Sequence, residues 1–348
     1  MKITAISLPR PRVRPRSGLT TRVLDFLALM KPRVMLLAVF TAFAGLMIAP
    51  ISVDPLLGSL AMAAIAVGAG AAGMLNMWHD ADIDAVMTRT ARRPIPRGKI
   101  SRREALVVGL FLSCGAVFIL GTATNVAAAG LLAFTIFFYV VVYTLWLKRI
   151  TPQNIVIGGA AGAFPPVVGW VSATGDIGIE PVILFLIIFL WTPPHFWPLS
   201  LNRADEYRRA GVPVLPVVAG RAATTLQILI YSVLLVPTSL LPWALGYAGA
   251  LYGVVALASG AVFLALALQL RRSQQSDRQA AQRLFLFSIS YLFLLFGALL
   301  ASSIGDQSSW KATAREDARR ITRSAPLAAL QLPLPTAIAF TVAKFDEA

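Results

Sequence analysis

The stretch Asn76-Met-Trp-His79-Asp80-Ala-Asp82-Ile-Asp84 sets one amide and two carboxylates at four-residue intervals. On an α-helix each such step advances by about 40°, so Asn76, Asp80 and Asp84 would share a face. Asp82 would point elsewhere. Hard oxygens in that array suit Mg²⁺, which seldom receives a full protein cage and usually bridges to substrate phosphates. The plain alternative is a solvated helix end. Acids near a helix C-terminus oppose the macrodipole, however, and that unfavourable placement points to a task. Seven bases follow at once: Arg89, Arg92, Arg93, Arg97, Lys99, Arg102 and Arg103. Retention of basic loops on the inner membrane face accounts for their number. It does not account for acids and bases crowded into one short segment, whereas a phosphate bridged by Mg²⁺ and arginine does. Lys148 and Arg149 could join the same cluster.

A second group, Asn202, Asp205 and Glu206, leads into Arg208-Arg209 and then Pro213-Val-Leu-Pro216. Asn202 and Glu206 would share a helical face. Opposite the first group they would let two Mg²⁺ ions clamp one diphosphate; an ordinary charged loop is the equal alternative. The two segments resemble each other, Asn-x-x-x-acid running into Arg-Arg and paired prolines, which suggests an internal duplication facing one cavity. There are two histidines, His79 and His195. His195 sits in Trp191-Thr-Pro-Pro-His195-Phe-Trp197 within an uncharged stretch. An imidazole at membrane depth is expensive and often functional. A structural histidine bonded to a carbonyl is the alternative to an iron ligand or propionate partner. The single cysteine, Cys114, excludes a disulfide framework and an iron–sulfur site.

The elements that must position these groups are membrane helices. Fifty-seven per cent of the 348 residues are hydrophobic and 14% charged, against about 25% charged in soluble chains. Mean hydropathy is +0.73. Seven stretches carry no charge: 34–53, 55–79, 105–147, 150–175, 181–202, 222–270 and 284–305. A span takes roughly 20 apolar residues, so the two longest stretches each hold two spans. They break at 121–125 and near 242–249. The expectation is an all-α bundle of nine transmembrane helices around a central cavity, with the polar loops on the cytoplasmic side. The runs lack the alternation of a β-barrel. The net charge of +15 does not indicate nucleic acid: 25 of the Lys and Arg residues fall on segments that this topology puts inside, and 6 in the tail. Residues 1–23 read as a basic arm, 24–304 as the membrane domain and 305–348 as a weakly structured tail. The first 18 residues contain no secretory signal. The N-terminus is expected in the cytoplasm of a bacterium, in preference to a mitochondrial transit peptide.

Asn76-x-x-x-Asp80-x-x-x-Asp84 resembles the first aspartate motif of UbiA-type intramembrane prenyltransferases. Several further segments are similar to the haem O synthase branch of that family. They include Lys31-Pro32-Arg33, Asp82-Ile-Asp84-Ala-Val-Met-x-Arg89-Thr90, Tyr143-Thr-Leu-Trp-Leu-Lys148-Arg149, Asn154 to Gly162, and Trp191 to Trp197. The resemblance covers roughly residues 24–304. It implies transfer of a farnesyl group from farnesyl diphosphate to a vinyl group of haem B, with Mg²⁺ as cofactor. It implies Asn76, Asp80 and Asp84 at the catalytic metal, joined by Asp205 and Glu206, with Arg89, Arg93, Lys148 and Arg149 on the diphosphate. His195 and Arg33 are expected to meet the haem. The lipid bilayer is the surrounding partner, and haem A synthase or terminal oxidase assembly are further candidates. The second motif departs from the family, which usually has Asp at both ends. Two other readings compete. One is an aromatic acceptor such as 4-hydroxybenzoate. The other is a secondary transporter, against which stand acids confined to helix ends.

Overall fold

The computed structural model describes residues 18–274 and 277–305. All but the first residue of the expected 305–348 tail, like most of the basic arm, therefore lies outside the described residues. Its secondary structure is helical among those residues. Among the described residues eight helices are long and apolar enough to cross a membrane, and Met35–Ile48 forms a shorter apolar helix. The nine expected spans thus become eight long helices and one short one.

The first described elements are α1 (Leu19–Leu29) and α2 (Pro32–Ile48), then α3 (Pro55–His79). Asp54 caps α3 by accepting from the Leu56 and Leu57 amides at 2.9 and 3.1 Å, which satisfies donors that a helix start leaves open. The short α4 (Ala81–Val86) follows, then α5 (Arg102–Ala123), whose start carries a Ser101–Glu104 capping box. The first long uncharged stretch breaks where expected. Asn125 caps α6 (Val126–Phe137), accepting from the Ala128 amide at 2.8 Å and donating to Val171 O at 2.8 Å. Beyond α6 the same span widens into a π-helix, Phe138–Trp146, and ends as a 3₁₀ turn, Leu147–Arg149.

The stretch 150–175 divides into α7 (Asn154–Ala163) and α8 (Pro165–Thr174), because proline cannot donate to the preceding turn. Next comes α9 (Ile179–Leu201), which carries Pro193, Pro194 and Pro198 inside it. The second inner loop holds α10 (Ala204–Arg209) and α11 (Leu215–Val218). Three long helices complete the bundle: α12 (Gly220–Ala244), α13 (Ala250–Arg272) and α14 (Arg278–Gly305). The break between α12 and α13 falls in the expected 242–249 segment.

Lipid tails give little hydrophobic drive between helices, so small residues that let backbones touch carry much of the packing. A Cβ at Gly45 of α2 would stand 2.0 Å from Pro166 O of α8, and one at Gly169 of α8 1.9 Å from Ala42 O. These two helices cross backbone to backbone. On α7, a Cβ at Gly158 would meet the Tyr143 ring at 2.2 Å and one at Gly159 would meet Thr192 at 2.9 Å. The glycines of α7 thus let both Tyr143 and α9 approach its backbone closely.

Candidate active site

The first acidic segment keeps its helical register across the junction between α3 and α4. Asp80 N donates to Asn76 O at 2.9 Å and Asp84 N to Asp80 O at 2.8 Å. Asn76, Asp80 and Asp84 are consequently brought together and buried, at 4%, 1% and 3% exposure. The Asp82 side chain is 56% exposed and lies outside this set.

Each buried carboxylate is matched by a cation from a distant part of the chain or from the far side of the loop. Arg93 Nη1 donates to both oxygens of Asp84, at 2.8 and 2.7 Å. Lys148 Nζ pairs with Asp80 Oδ2, and Arg149 stands 3.8 Å from Asp80 Oδ1. Arg149 chiefly forks onto Asp82 with two bonds of 2.8 Å. Asn76 Nδ2 donates to Asp80 Oδ2 at 2.9 Å and to Thr144 Oγ1 at 3.0 Å. Thr144 Oγ1 itself donates to Tyr139 O, five residues back, at 2.8 Å. The π-helix therefore aims Thr144 at Asn76 and delivers Lys148 one turn later. Wide turns of this kind recur at functional sites.

Lys31 is a member of the cluster that spacing alone did not select. Its Nζ donates to Asn76 Oδ1 at 2.8 Å. Its backbone has φ +55°, in a region that costs a non-glycine residue about 1 kcal/mol or more. Burial and the neighbouring charges of Arg93 and Lys148 push its ammonium down to about 7, against the opposing pull of Asp84 and Asp80. The sequence signal was a lone Lys-Pro step entering an apolar helix. Arg33 enters α2 nearby, but its side chain lies outside the described residues. Arg89 is exposed as a residue, yet partial desolvation, followed by the charges of Arg93 and Arg203, lowers its guanidinium pKa against the opposing pull of Tyr207 and Asp84.

The second acidic segment is built differently. Asp205 is 79% exposed and pairs with Arg208 at 2.6 Å, so it is not brought to the cluster. Asn202 Nδ2 donates to Arg278 O at 3.1 Å, toward α14. Glu206 is the inward member: it stands 4.0 Å from Arg203, and its Oε2 is buried without a hydrogen-bond partner. The two loops meet through an apolar contact, Ile83 and Met87 packing with Tyr207, Val212 and Val214.

His79 Nδ1 lies 3.4 Å from Asp80 Oδ1. His195 is far along α9, in the wall of a cavity of about 510 Å³. A smaller cavity of about 160 Å³ is lined by Lys31 and shares Ala38, Tyr139 and Gly162 with the larger one. Tyr139 and Tyr143 border the larger cavity, and the Tyr139 carbonyl accepts from Thr144, whose hydroxyl in turn accepts from Asn76. The polar cluster thus adjoins an apolar interior.

The donor set fits Mg²⁺ in one specific manner. Among the described residues no three His, Cys, Asp or Glu side chains converge on a point. Two buried carboxylates with an amide oxygen beside them make a partial set of hard ligands, of the kind that substrate phosphates and water complete.

The family model described as the UbiA prenyltransferase family matches residues 38–290. The chain belongs to the UbiA prenyltransferase family. A protoheme IX farnesyltransferase of Rhodopseudomonas palustris is 59% identical over 81% of this chain and 91% of its own length. One from Parvibaculum lavamentivorans is 56% identical over 87% and 96%. Among solved structures, a digeranylgeranylglyceryl phosphate synthase superposes with a TM-score of 0.69 at 19% identity, over 82% of this chain and 99% of its own. A UbiA homolog from Archaeoglobus fulgidus, bound to DMAPP and Mg²⁺, gives 0.55 at 15%, over 79% and 99%. At those identities the UbiA structures share the fold.

Proposed function

We propose that the chain transfers the farnesyl group of farnesyl diphosphate to a vinyl group of haem B, forming haem O and releasing diphosphate. One observation carries the reading: a buried pair of carboxylates, each held by a cation, is linked from Asp80 through Asn76 to Lys31 in the wall of a cavity of about 160 Å³, which shares Ala38, Tyr139 and Gly162 with an apolar one of about 510 Å³. The named relatives, aligned over about nine-tenths of their length, support the same acceptor. A prenyl diphosphate with Mg²⁺ in a fold neighbour supports the donor.

Asp80 and Asp84 would hold Mg²⁺, with Asn76 beside them. When bound, that ion neutralises charge on the departing diphosphate. Lys148 and Arg93 are then free to turn from the carboxylates to phosphate oxygens, and Lys31, Arg149 and Arg89 complete the positive wall. Glu206 is the residue of the second segment suited to join them. The allylic C1–O bond breaks with its electron pair leaving on diphosphate. The vinyl π pair closes the new carbon–carbon bond. Water adds to the resulting cation next to the porphyrin, and its proton passes to diphosphate. The apolar walls keep stray water from the farnesyl cation. The lining by Lys31 suits the smaller cavity to the start of the farnesyl chain. Orientation with the N-terminus and both acidic loops in the cytoplasm of a bacterial inner membrane follows from the distribution of basic residues.

The test is turnover in detergent with farnesyl diphosphate, haem B and Mg²⁺, followed by mass spectrometry of the haems. Haem O should form and should cease with a chelator. Prenylation of 4-hydroxybenzoate without haem O would sink the haem acceptor in favour of an aromatic one. Turnover with no sealed membrane also disposes of pure transport.

A further inference from the structure

Three hydrogen bonds meet at Ser288 of α14. Trp191 Nε1 donates to its carbonyl oxygen at 2.8 Å. The Ser288 hydroxyl donates to Phe285 O at 2.6 Å. It also lies 2.7 Å from His195 Nδ1. A hydroxyl has one proton, and a carbonyl has none to offer. The serine proton is therefore engaged with Phe285, and in its contact with histidine the hydroxyl must accept. Nδ1 carries the hydrogen, and Nε2 of the neutral ring keeps a lone pair.

The ring is clamped as well as oriented. Trp191 stacks on one side with centroids 4.2 Å apart and planes 13° apart; Phe285 stacks with 4.9 Å and 25°. With both aromatic neighbours nearly parallel, the useful direction left to the imidazole is the ring plane. Nε2 has no hydrogen-bond partner among the described residues, and His195 lines the cavity of about 510 Å³. An in-plane lone pair held by an Nδ1–H bond is the arrangement by which imidazoles bind metals.

We infer that His195 Nε2 is the axial ligand to the iron of the haem acceptor, and that Ser288 is the positioning residue that sets its tautomer. This rests on haem being the acceptor. Iron at His195 sets the macrocycle in the larger cavity. The cavity that would take the macrocycle joins the one lined by Lys31 at Tyr139 and Gly162, so a vinyl edge turned that way would meet the farnesyl donor. A Cβ at Gly162 would meet nothing within 4 Å, so this junction is open on the Gly162 side.

The experiment compares two probes on the full chain in detergent: ferric haem B and iron-free protoporphyrin IX. Wild type should bind haem at least about tenfold more tightly than protoporphyrin, a preference within the range that metal-site interactions supply, and should show the absorption and spin-state signature of imidazole-bound iron. His195→Ala should lose that signature and bind the two probes equally, with protoporphyrin affinity and farnesyl diphosphate binding unchanged. Added imidazole should restore the signature. Ser288→Ala should weaken haem by about tenfold and leave protoporphyrin unaffected, and it carries the test if His195→Ala does not fold. An unchanged haem spectrum in His195→Ala overturns the inference. So does an equal fall for both probes, which would make His195 a packing residue. If wild type forms haem O while His195→Ala keeps its spectrum, the ligand is wrong and the reaction stands. If wild type binds haem through His195 yet forms no haem O, the ligand stands and the reaction is wrong.

Discussion

The two acidic loops look alike in sequence and are built on opposite plans. In the first, Asp80 and Asp84 are buried, and Lys148 reaches Asp80 from 68 residues away. In the second, Asp205 is exposed and satisfied by Arg208 three residues on, and Asn202 is occupied with the start of α14. Removing a charge from water costs several kcal/mol before pairing offsets it. The first loop bears that cost twice over, while an exposed i,i+3 pair costs and gains little. The difference teaches that a repeated motif need not be a repeated site. Glu206, with a buried oxygen left without a partner, is the member of the second loop suited to join the proposed site.

The sharpest break in this comparison should come from Asp80→Ala and Asp84→Ala. Each removes a proposed metal ligand and strands Lys148 or Arg93 without its partner. We expect haem O formation to fall at least about a hundredfold, with membrane insertion intact, as read by mass spectrometry of haems against protein recovered in membranes. Near-normal turnover in either variant would remove the metal from this loop. Next in size is Lys31→Met, which keeps length and removes charge. It should raise the KM for farnesyl diphosphate about tenfold, the worth of one charge-assisted hydrogen bond, with a smaller change in kcat.

Within the second loop the two acids should part company. Glu206→Gln should lower kcat/KM by roughly tenfold, in line with loss of one charged contact. Asp205→Asn should stay within about twofold, because an exposed pair contributes at most about 1 kcal/mol. Equal losses at both positions would restore the symmetric two-metal reading.

Much of this was legible beforehand, and the reasons are local. The span breaks at Asn125 and after Pro242 were visible as polar or helix-interrupting residues in otherwise apolar runs. Four-residue spacing gave the shared face of Asn76, Asp80 and Asp84, because i→i+4 hydrogen bonds persist past His79. The π-helix was not legible: Phe138–Trp146 reads as an ordinary apolar helix, and its extra width answers to Thr144, Asn76 and the glycines of α7. The four-residue step set Glu206 on the face of Asn202, but it did not show that Asn202 turns to Arg278 and Asp205 to Arg208 while Tyr207 packs inward with Val212 and Val214. Ser288 was invisible because its role depends on three groups from two helices.

The smallest effect should come from Asp82, and its smallness is the point. Asp82 sits between the two buried carboxylates in sequence yet faces water, forked to Arg149. That fork, helped by the Ile83 amide and opposed by slight burial, holds its carboxyl well below the usual carboxylate range. A depressed carboxylate stabilises the fold above its ordinary pKa and loses that contribution as pH falls through the lowered value. Across the neutral range the contribution is constant, so Asp82→Asn should leave the pH profile of turnover unchanged there. Its cost to stability should be under about 1 kcal/mol, since both partners are substantially exposed. Turnover should stay within about threefold, because Arg149, released from Asp82, is already 3.8 Å from Asp80 and can serve that carboxylate or the diphosphate beside it. Parallel kcat/KM measurements and thermal unfolding of Asp82→Asn, Asp80→Ala and wild type decide it. A loss at Asp82 as deep as that at Asp80 would mean that proximity in sequence, and not burial on a shared face, marks the catalytic carboxylates.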